Sequence, residues 1–594
     1  MKKLLAVVVA AFAAGSIRAE VLDLNGVDKE VTSLKAYTAV QNSGAQATLT
    51  VNLTAGDEKF EGSISGPVKL VKKGFGKMLS LSGNNTYTGG TQIDEGWLQA
   101  LSTTAFGDKT QGGPIQVNSE CTVNAEQGKI TALVVGVDTF DYDINFKRWT
   151  NHGGRPKCTA EGTGSMYNLC AGAGLFPEVA ETTNKGTITF TGKITGGDLS
   201  IREARNVWGN VWKMSNITIN GDIELDAGGA FYLVNRCCPC YVYGKVTAGN
   251  LMLSNANTPS SIYLCNAENQ IASVDTGRYA SGGLVSCNAE NAIHGAKIIS
   301  SAPLSATAYV ELNGFSQTID APVMTTDSKG KEIVPGSFVP SNGSGYRHCI
   351  QNSGNAATLT MQGTGNSVND WLLVGKISLV WDPQGDFELQ NVYRGNTNEG
   401  SIVVKDGTFT IGEACSFTKV TEGITLEGDA KLKVVEANAI AGKNGALKLE
   451  LSADSTVELD ADWTWEVYSV VHGTQILPVG TYTAADLDWL SGNGKLKVQF
   501  ELAGADTGIW KGGAANDNIN NHDNWDGLHP TLAGTAEVSF TNGTSATINT
   551  MTDFKKITMA TAEDFTFQKS GDNTLSVGAG GIAIADHSAV QHRT

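Results

Sequence analysis

The pattern of apolar and polar positions is clearest between Leu79 and Ala100, LSLSGNNTYTGGTQIDEGWLQA. Leu79 and Leu81 alternate with Ser80 and Ser82, and a polar stretch, GNNTYTGG, follows. Thr91-Gln92-Ile93 and Trp97-Leu98-Gln99-Ala100 are two further short runs, parted by a turn at Asp94-Glu95-Gly96. Strands this short are not stable as isolated hairpins. They are accounted for as one coil of a parallel β-helix, where each strand pairs with its equivalent in the next coil and the apolar face is buried only by stacking. The expected fold is therefore all-β, a right-handed parallel β-helix over about residues 22–500, with about 20–22 coils and a length on the order of 100 Å at ~4.8 Å per coil. Leu79, Leu81, Ile93 and Leu98 are expected inside it.

Internal repetition supports the same reading. Gln41-Asn42-Ser43-Gly44 followed by Ala47-Thr48-Leu49-Thr50 returns as Gln351-Asn352-Ser353-Gly354 followed by Ala357-Thr358-Leu359-Thr360. Ahead of each stands a related turn, LDLNG (Leu22 to Gly26) and Glu311-Leu312-Asn313-Gly314. A shorter echo, Cys265-Asn266-Ala267-Glu268-Asn269, recurs 22 residues later from Cys287. A coil of that length stacks Cys265 over Cys287 and Asn269 over Asn291, whose amides would bond along the axis.

Residues 130–250 are the least repetitive. VDTFDYDINFKRWTNHGGRPKC and AEGTGSMYNLCAGAGLFPEVA lack clean alternation and read as loops or elaborated turns. Short alternating strands return from GTITFTGKI onward and again over 400–460. The stretch Thr464 to Phe500 changes character, and a boundary falls near Ala503-Gly504. Beyond it, Trp510 and Trp525 frame an Asn/Asp-rich loop that opens a fresh β block. The expected layout is a signal peptide over 1–19, a β-helix over 20–503 elaborated near 130–250, and a further block over 504–594. That block is expected to continue past Thr594; the alternative is that its last strands pair back on residues 530–580.

LSGNNTYTGGTQIDEGWLQA resembles the autotransporter-associated β-strand repeat of large exported bacterial surface proteins. LDLNG, QNSGAQATLTV and GPVKLVKKGFGKMLSLSG precede it in the order of one repeat block. The resemblance is close over 22–110 and partial over 310–500. It implies a β-helical, pectin-lyase-like solenoid at an extracellular or outer-membrane surface, serving as stalk and display surface. It implies no reaction. Cysteines fit poorly with threading an unfolded passenger through a narrow barrel, which sets this chain apart from the self-transporting pattern.

Composition agrees. Gly 70 against Pro 13, with 41% hydrophobic residues, suits a turn-dense β chain and not a disordered one. MKKLLAVVVAAFAAGSIRAE reads as a secretory leader, with Lys2 and Lys3 before the apolar run Leu4 to Ala14. Removing residues 1–19, with Lys2, Lys3 and Arg18, takes the formal charge from −17 to −20. Such a chain has no basic surface for nucleic acid. No later apolar run reaches the ~20 residues of a transmembrane helix.

Candidate chemistry is sparse. Ten cysteines in an exported chain leave two arrangements open, disulfides (for example in the loop bearing Cys158 and Cys170) or buried thiol ladders. Cys237-Cys238-Pro239-Cys240 lacks the spaced pairs of a zinc site. Asp138, Asp141 and Asp143 offer carboxylates for calcium or for a lyase, but one acidic triplet is common in solvated loops. Asx turns account for the acids between Asp517 and Asp526. His152, His294, His348 and His472 each lack a neighbouring acid or Cys nucleophile pattern and are expected in solvent-facing turns. Trp208 and Trp212 offer sugar stacking or plain packing. No phosphate loop occurs. No catalytic, cofactor-binding or metal residue is singled out, and no cofactor is expected. Two functions remain: a non-catalytic, adhesin-like scaffold whose partners are surface glycans or proteins of a host or neighbouring cell, and a carbohydrate-active β-helix enzyme, a lyase or glycosidase.

Overall fold

The computed structural model describes residues 20–118, 131–147, 169–171, 187–203, 216–233, 239–253, 261–276, 283–300, 308–325, 348–369, 371–391, 396–412, 417–420, 423–435, 440–442, 447–460, 462–499, 507–512, 517–519, 524–526, 530, 536–541, 544–548, 552–560, 565–570 and 573–584. Every regular element among them is a β-strand, and nearly all pairings are parallel. The chain divides into two units, Met1–Gly229 and Ala230–Thr594, each taken by itself.

In the first unit, successive turns of the chain give one strand to each of three ladders. One ladder joins Glu20–Asp23, Tyr37–Gln41, Ser63–Gly66 and Thr86–Tyr87. A second includes Ala47–Asn52, Val68–Lys73, Thr91–Ile93, Ile115–Val117 and Ile144–Phe146. The third includes Glu58–Phe60, Met78–Leu81, Trp97–Ala100 and Ala132–Val135. Leu79, Leu81, Ile93 and Leu98 are fully buried, as the alternation predicts. Ile115, Ile144, Ile194 and Ile223 stand opposite one another in consecutive registers, an isoleucine column with almost no solvent contact.

Three expectations need correction. First, LSL and WLQA do not belong to one turn: Leu79 opposes Leu98 and Leu81 opposes Ala100 across successive turns. The strand missing from the count is Thr86–Tyr87, inside the stretch that reads as a polar turn. Its one apolar residue, Tyr87, is fully buried with its hydroxyl 2.6 Å from Thr91 Oγ1. A lone aromatic among polar residues carries no alternation signal. Ser80, expected outside, is also buried, and its hydroxyl donates to Gln99 at 2.6 Å.

Second, VDTFDYDINF is not a loop. It forms Thr139–Phe140 and Ile144–Phe146, with Phe140, Tyr142, Ile144 and Phe146 all buried. Phe140 meets Phe106 and Phe190 edge-on at 6.0 and 6.1 Å. Aspartates at the intervening positions mask an alternation that runs across a bend. Cys158, Trp208, Trp212, Cys237, Cys238, His152 and the leader 1–19 lie outside the described residues.

Third, in the second unit the Cys265–Cys287 and Asn269–Asn291 stacks are out of register. Leu264 opposes Cys287, so the turn here takes 23 residues and not 22. Cys287 is therefore buried while Cys265 is half-buried. The column beside it runs Cys240, Ile262, Val285, Val310, Ile350, Leu373, all interior. A thiol thus takes a hydrophobe's place in an aliphatic stack. From Ser469 the pairing changes, with antiparallel contacts between Ser469–His472 and Gln475–Ile476, and between Gly480–Tyr482 and Lys495–Val498. Over 507–584 parallel ladders return around a core of Trp510, Trp525, Phe540 and Phe554.

The asparagines do serve the stacking, by another route. Asn85 accepts from the Ile64 N–H of the preceding turn at 2.7 Å and donates to the Ala105 carbonyl of the following turn at 2.7 Å. Asn269 does the same between Val246 N–H (2.9 Å) and Ala292 O (3.0 Å). A carboxamide carries the donor and acceptor of a peptide group, so it supplies the rung that the main chain leaves out where it bends. In the QNSG repeats the geometry is reproduced. Asn42 accepts from Gly26 N–H at 2.8 Å and donates to Ala45 O at 2.6 Å; Asn352 accepts from Gly314 N–H at 2.8 Å and donates to Asn355 O at 2.6 Å. Asn25 and Asn313 both take a left-handed φ, 51° and 52°. The following Gly44 and Gly354 pass so close that a Cβ on either would lie 2.5 Å from backbone atoms of that turn.

Histidines also depart from expectation. His348 is buried against Trp371, ring centroids 5.5 Å apart, and desolvation lowers its pKa from 6.5 to about 4.

Adjacent asparagines give a test. Asn85→Ala strands a buried N–H and a buried carbonyl and is expected to cost about 2–4 kcal/mol. Asn84→Ala removes an exposed bond to Thr104 and should stay within about 0.5 kcal/mol. Urea unfolding of the two variants checks this. His348 predicts a pH effect: the unfolded chain protonates at higher pH than the folded chain, so its contribution is full above about pH 6.5 and is lost as pH falls toward 4, by about 3 kcal/mol. His348→Gln should flatten that part of the stability–pH curve; an unchanged slope would contradict the assignment.

Candidate functional site

The acidic residues singled out by the sequence do not converge. Lys109 pairs with Asp141, and the Lys193 N–H donates to Asp143 Oδ1 at 2.7 Å. Asp138 is exposed, its backbone carbonyl accepting from Thr189 N–H. Each carboxylate or carbonyl here ties one turn to another. Asp517 accepts from Ser545 Oγ at 2.5 Å, and its carbonyl accepts from the Thr547 N–H at 2.6 Å. Among the described residues no group of three His, Cys, Asp or Glu side chains could hold a metal ion.

Acid–lysine pairs follow the same rule. Lys193 meets Glu224 at 2.6 Å, Lys405 meets Asp382 at 3.2 Å, and Lys433 meets Glu458 at 2.7 Å and Asp460 at 3.3 Å. All bridge different turns, and solvent screening keeps the contribution of each to stability small. Their carboxylates raise the Lys193 and Lys433 pKa, the direct hydrogen bond to Glu224 or Glu458 being the larger cause. Such pairs zip a face; they do not form the two opposed carboxylates that glycoside chemistry requires.

The four described free thiols are no better placed for chemistry. Cys240, Cys265, Cys287 and Cys349 are free, and burial raises all four thiol pKa values, Cys349 to about 12. A nucleophilic cysteine needs the opposite shift. His472 is half-buried and stacks on Trp489 at 4.9 Å, so only His294 among the described flagged histidines is a solvent-facing turn residue.

A concave feature with converging polar groups lies in the second unit. A cleft of about 430 Å³ is lined by Lys245, Ala267, Glu268, Asn269, Gln270, Asn291 and His294. These residues come from three successive turns. Asn269 forms the floor: its carboxamide joins Val246, next to Lys245, to Ala292, two residues before His294. The Glu268 N–H is held by Asn266 Oδ1 at 2.8 Å, and Asn291 Oδ1 accepts from Thr318 N–H at 3.1 Å. Asn269 and Asn291 are thus spent on the framework. Glu268, Gln270 and His294 are exposed. Nearby, Tyr241 and Tyr263 stack face to face at 4.6 Å, so their ring faces serve each other. The sequence flagged His294 but not the cleft, because its members are scattered over 50 residues and gathered by the turn period.

Comparison with known families matches residues 70–100 to the passenger-associated-transport-repeat. That segment contains Val68–Lys73 from Leu70 on, Met78–Leu81, Thr86–Tyr87, Thr91–Ile93 and Trp97–Ala100, which is one full turn and the start of the next. No curated protein and no solved structure matches the chain. No helix among the described residues is long and apolar enough to cross a membrane. Residues 70–100 are thus similar to a repeat of autotransporter passengers, set in an all-β chain of parallel strands.

Proposed function

We propose that the chain is an exported, non-catalytic surface scaffold, built as a right-handed parallel β-helix that displays its outer faces. The observation that carries this is the match of residues 70–100 to a passenger repeat. The way charged side chains pair between turns supports it. A leader over 1–19, a β-helix over 20–503 with elaborations near 130–250, and a further block over 504–594 complete the proposed layout. Export to the cell surface and an adhesin-like role toward surface glycans or neighbouring-cell proteins follow from the same reading.

Two measurements test it. In a solenoid each turn contacts its neighbours only, so a buried charge opens it locally. Leu81→Asp is expected to cost several kcal/mol at its own turn and to create protease-sensitive sites in the N-terminal part while residues 400–500 stay resistant; loss of the whole chain at once would contradict the solenoid. Expressed with its own leader in a bacterial host, the chain should be cleaved by protease added outside intact cells. Release of unsaturated or reducing sugar ends from a polysaccharide panel would instead identify an enzyme.

A further inference from the structure

We propose that Tyr241 and Tyr263 form a cross-linking site: oxidation by hydrogen peroxide and a haem peroxidase joins their rings and ties two successive turns covalently. This goes beyond the scaffold reading and does not rest on it.

The geometry carries the proposal. Tyr241 and Tyr263 are Cα partners in the parallel strands Pro239–Val242 and Ser261–Leu264. Their rings stack with centroids 4.6 Å apart and planes 19° from parallel, which is the rung spacing of a sheet, ~4.8 Å. The flanking residues, Cys240 and Val242 with their partners Ile262 and Leu264, are buried in the interior, so the outward rings stand on a fixed base. Both rings are half-buried, open enough to lose an electron to an oxidant in solution. Tyr87, Tyr142, Tyr232 and Tyr468 are buried, and the exposed Tyr243 lies one residue past its strand. On the far side of Tyr263 the next turn places Ser286, whose hydroxyl donates to Asn288 at 2.9 Å. No aromatic ring competes for Tyr263 at that register position. Holding two reactants in contact replaces a bimolecular encounter by an intramolecular one.

The step balances. Each phenol gives up one electron and one proton, a bond forms between the two Cε carbons, and the hydrogens displaced from those carbons return to the Oη atoms. Hydrogen peroxide takes up the two electrons and two protons and leaves as two waters. The product is a covalent bond between turns that otherwise meet through ladder hydrogen bonds and packing. Because each turn contacts only its neighbours, the bond clamps this rung locally.

The test is oxidation of the dilute full chain with hydrogen peroxide and a haem peroxidase, followed by intact mass, dityrosine fluorescence and sequencing of linked peptides. A monomer lighter by two hydrogen atoms is expected, with Tyr241 and Tyr263 in one linked peptide pair and slower amide exchange across both strands. Tyr241→Phe and Tyr263→Phe, which each remove only a hydroxyl, should lose the link while circular dichroism shows that they fold. Tyr243→Phe and Cys265→Ser should keep it. A monomer without the link, a link that survives either change at the pair, a link that requires Tyr243 or Cys265, or unchanged amide exchange in the linked protein would overturn the proposal. None of those outcomes bears on the scaffold reading, which fails only by turnover, by cooperative unfolding or by retention inside the cell.

Discussion

The structure depends on carrying a backbone hydrogen-bond ladder from turn to turn past every bend. Parallel strands of two to six residues cannot stand alone, and each bend leaves an N–H of one turn and a carbonyl of another without a strand partner. Buried asparagines close these gaps at Asn42 and Asn85 in the first unit and at Asn269 and Asn352 in the second. Aspartate has no donor to reach the following turn, and serine is too short to span two rungs. Gln317, with one more methylene, makes both of its bonds to a single bend of the preceding turn, accepting from Ile293 N–H and donating to Ala289 O. An unmade bond of this kind costs more than a made one contributes, which is why these positions matter more than their polarity implies.

With the ladder closed, the interior needs only to be apolar in columns. Isoleucine, leucine, valine and cysteine interchange along a column because each meets the residue one turn away. Lys72 marks the limit of that tolerance. It occupies a column position between Val51 and Ile93, and its ammonium reaches the carbonyls of Lys73 and Glu95 at 2.5 and 3.3 Å. Burial lowers its pKa to about 8, with Glu95 and Asp57 opposing the shift. The Lys72 ammonium thereby adds a second donor to the Lys73 carbonyl, which also accepts from the Leu53 N–H.

The outer faces follow a different economy. Lysines and acids one turn apart pair across rungs, aromatic rings stack on each other, and turn acids cap backbone amides. The Asn25 N–H, ahead of Gln41, holds Asp23 at about 2, and Glu311 binds Asn313 and Gln351 in the equivalent way. Side chains committed to neighbouring turns are not poised for acid–base work, which needs a carboxyl group shifted toward neutrality. At the polar cleft over Asn269 the framework bonds are made by asparagines.

The sequence by itself determined the class of strand, the inward residues of the clearest unit and the equivalence of the QNSG repeats, because those signals are local: alternation has a period of two, and a left-handed Asn-Gly turn needs no partner to be recognised. Leu79, Leu81, Ile93 and Leu98 were legible for that reason. Register was not. A one-residue difference in turn length moves Cys287 opposite Leu264 and takes Asn269 from an amide stack to a backbone clasp, and turn length is fixed by how bends pack on the turns before and after. Tyr87, Phe140 and His348 are buried by the same non-local accounting, each covered by residues distant in sequence. The cleft was invisible for the same physical reason: Lys245, Glu268 and His294 share a site only because stacking brings every turn's equivalent bend to one face.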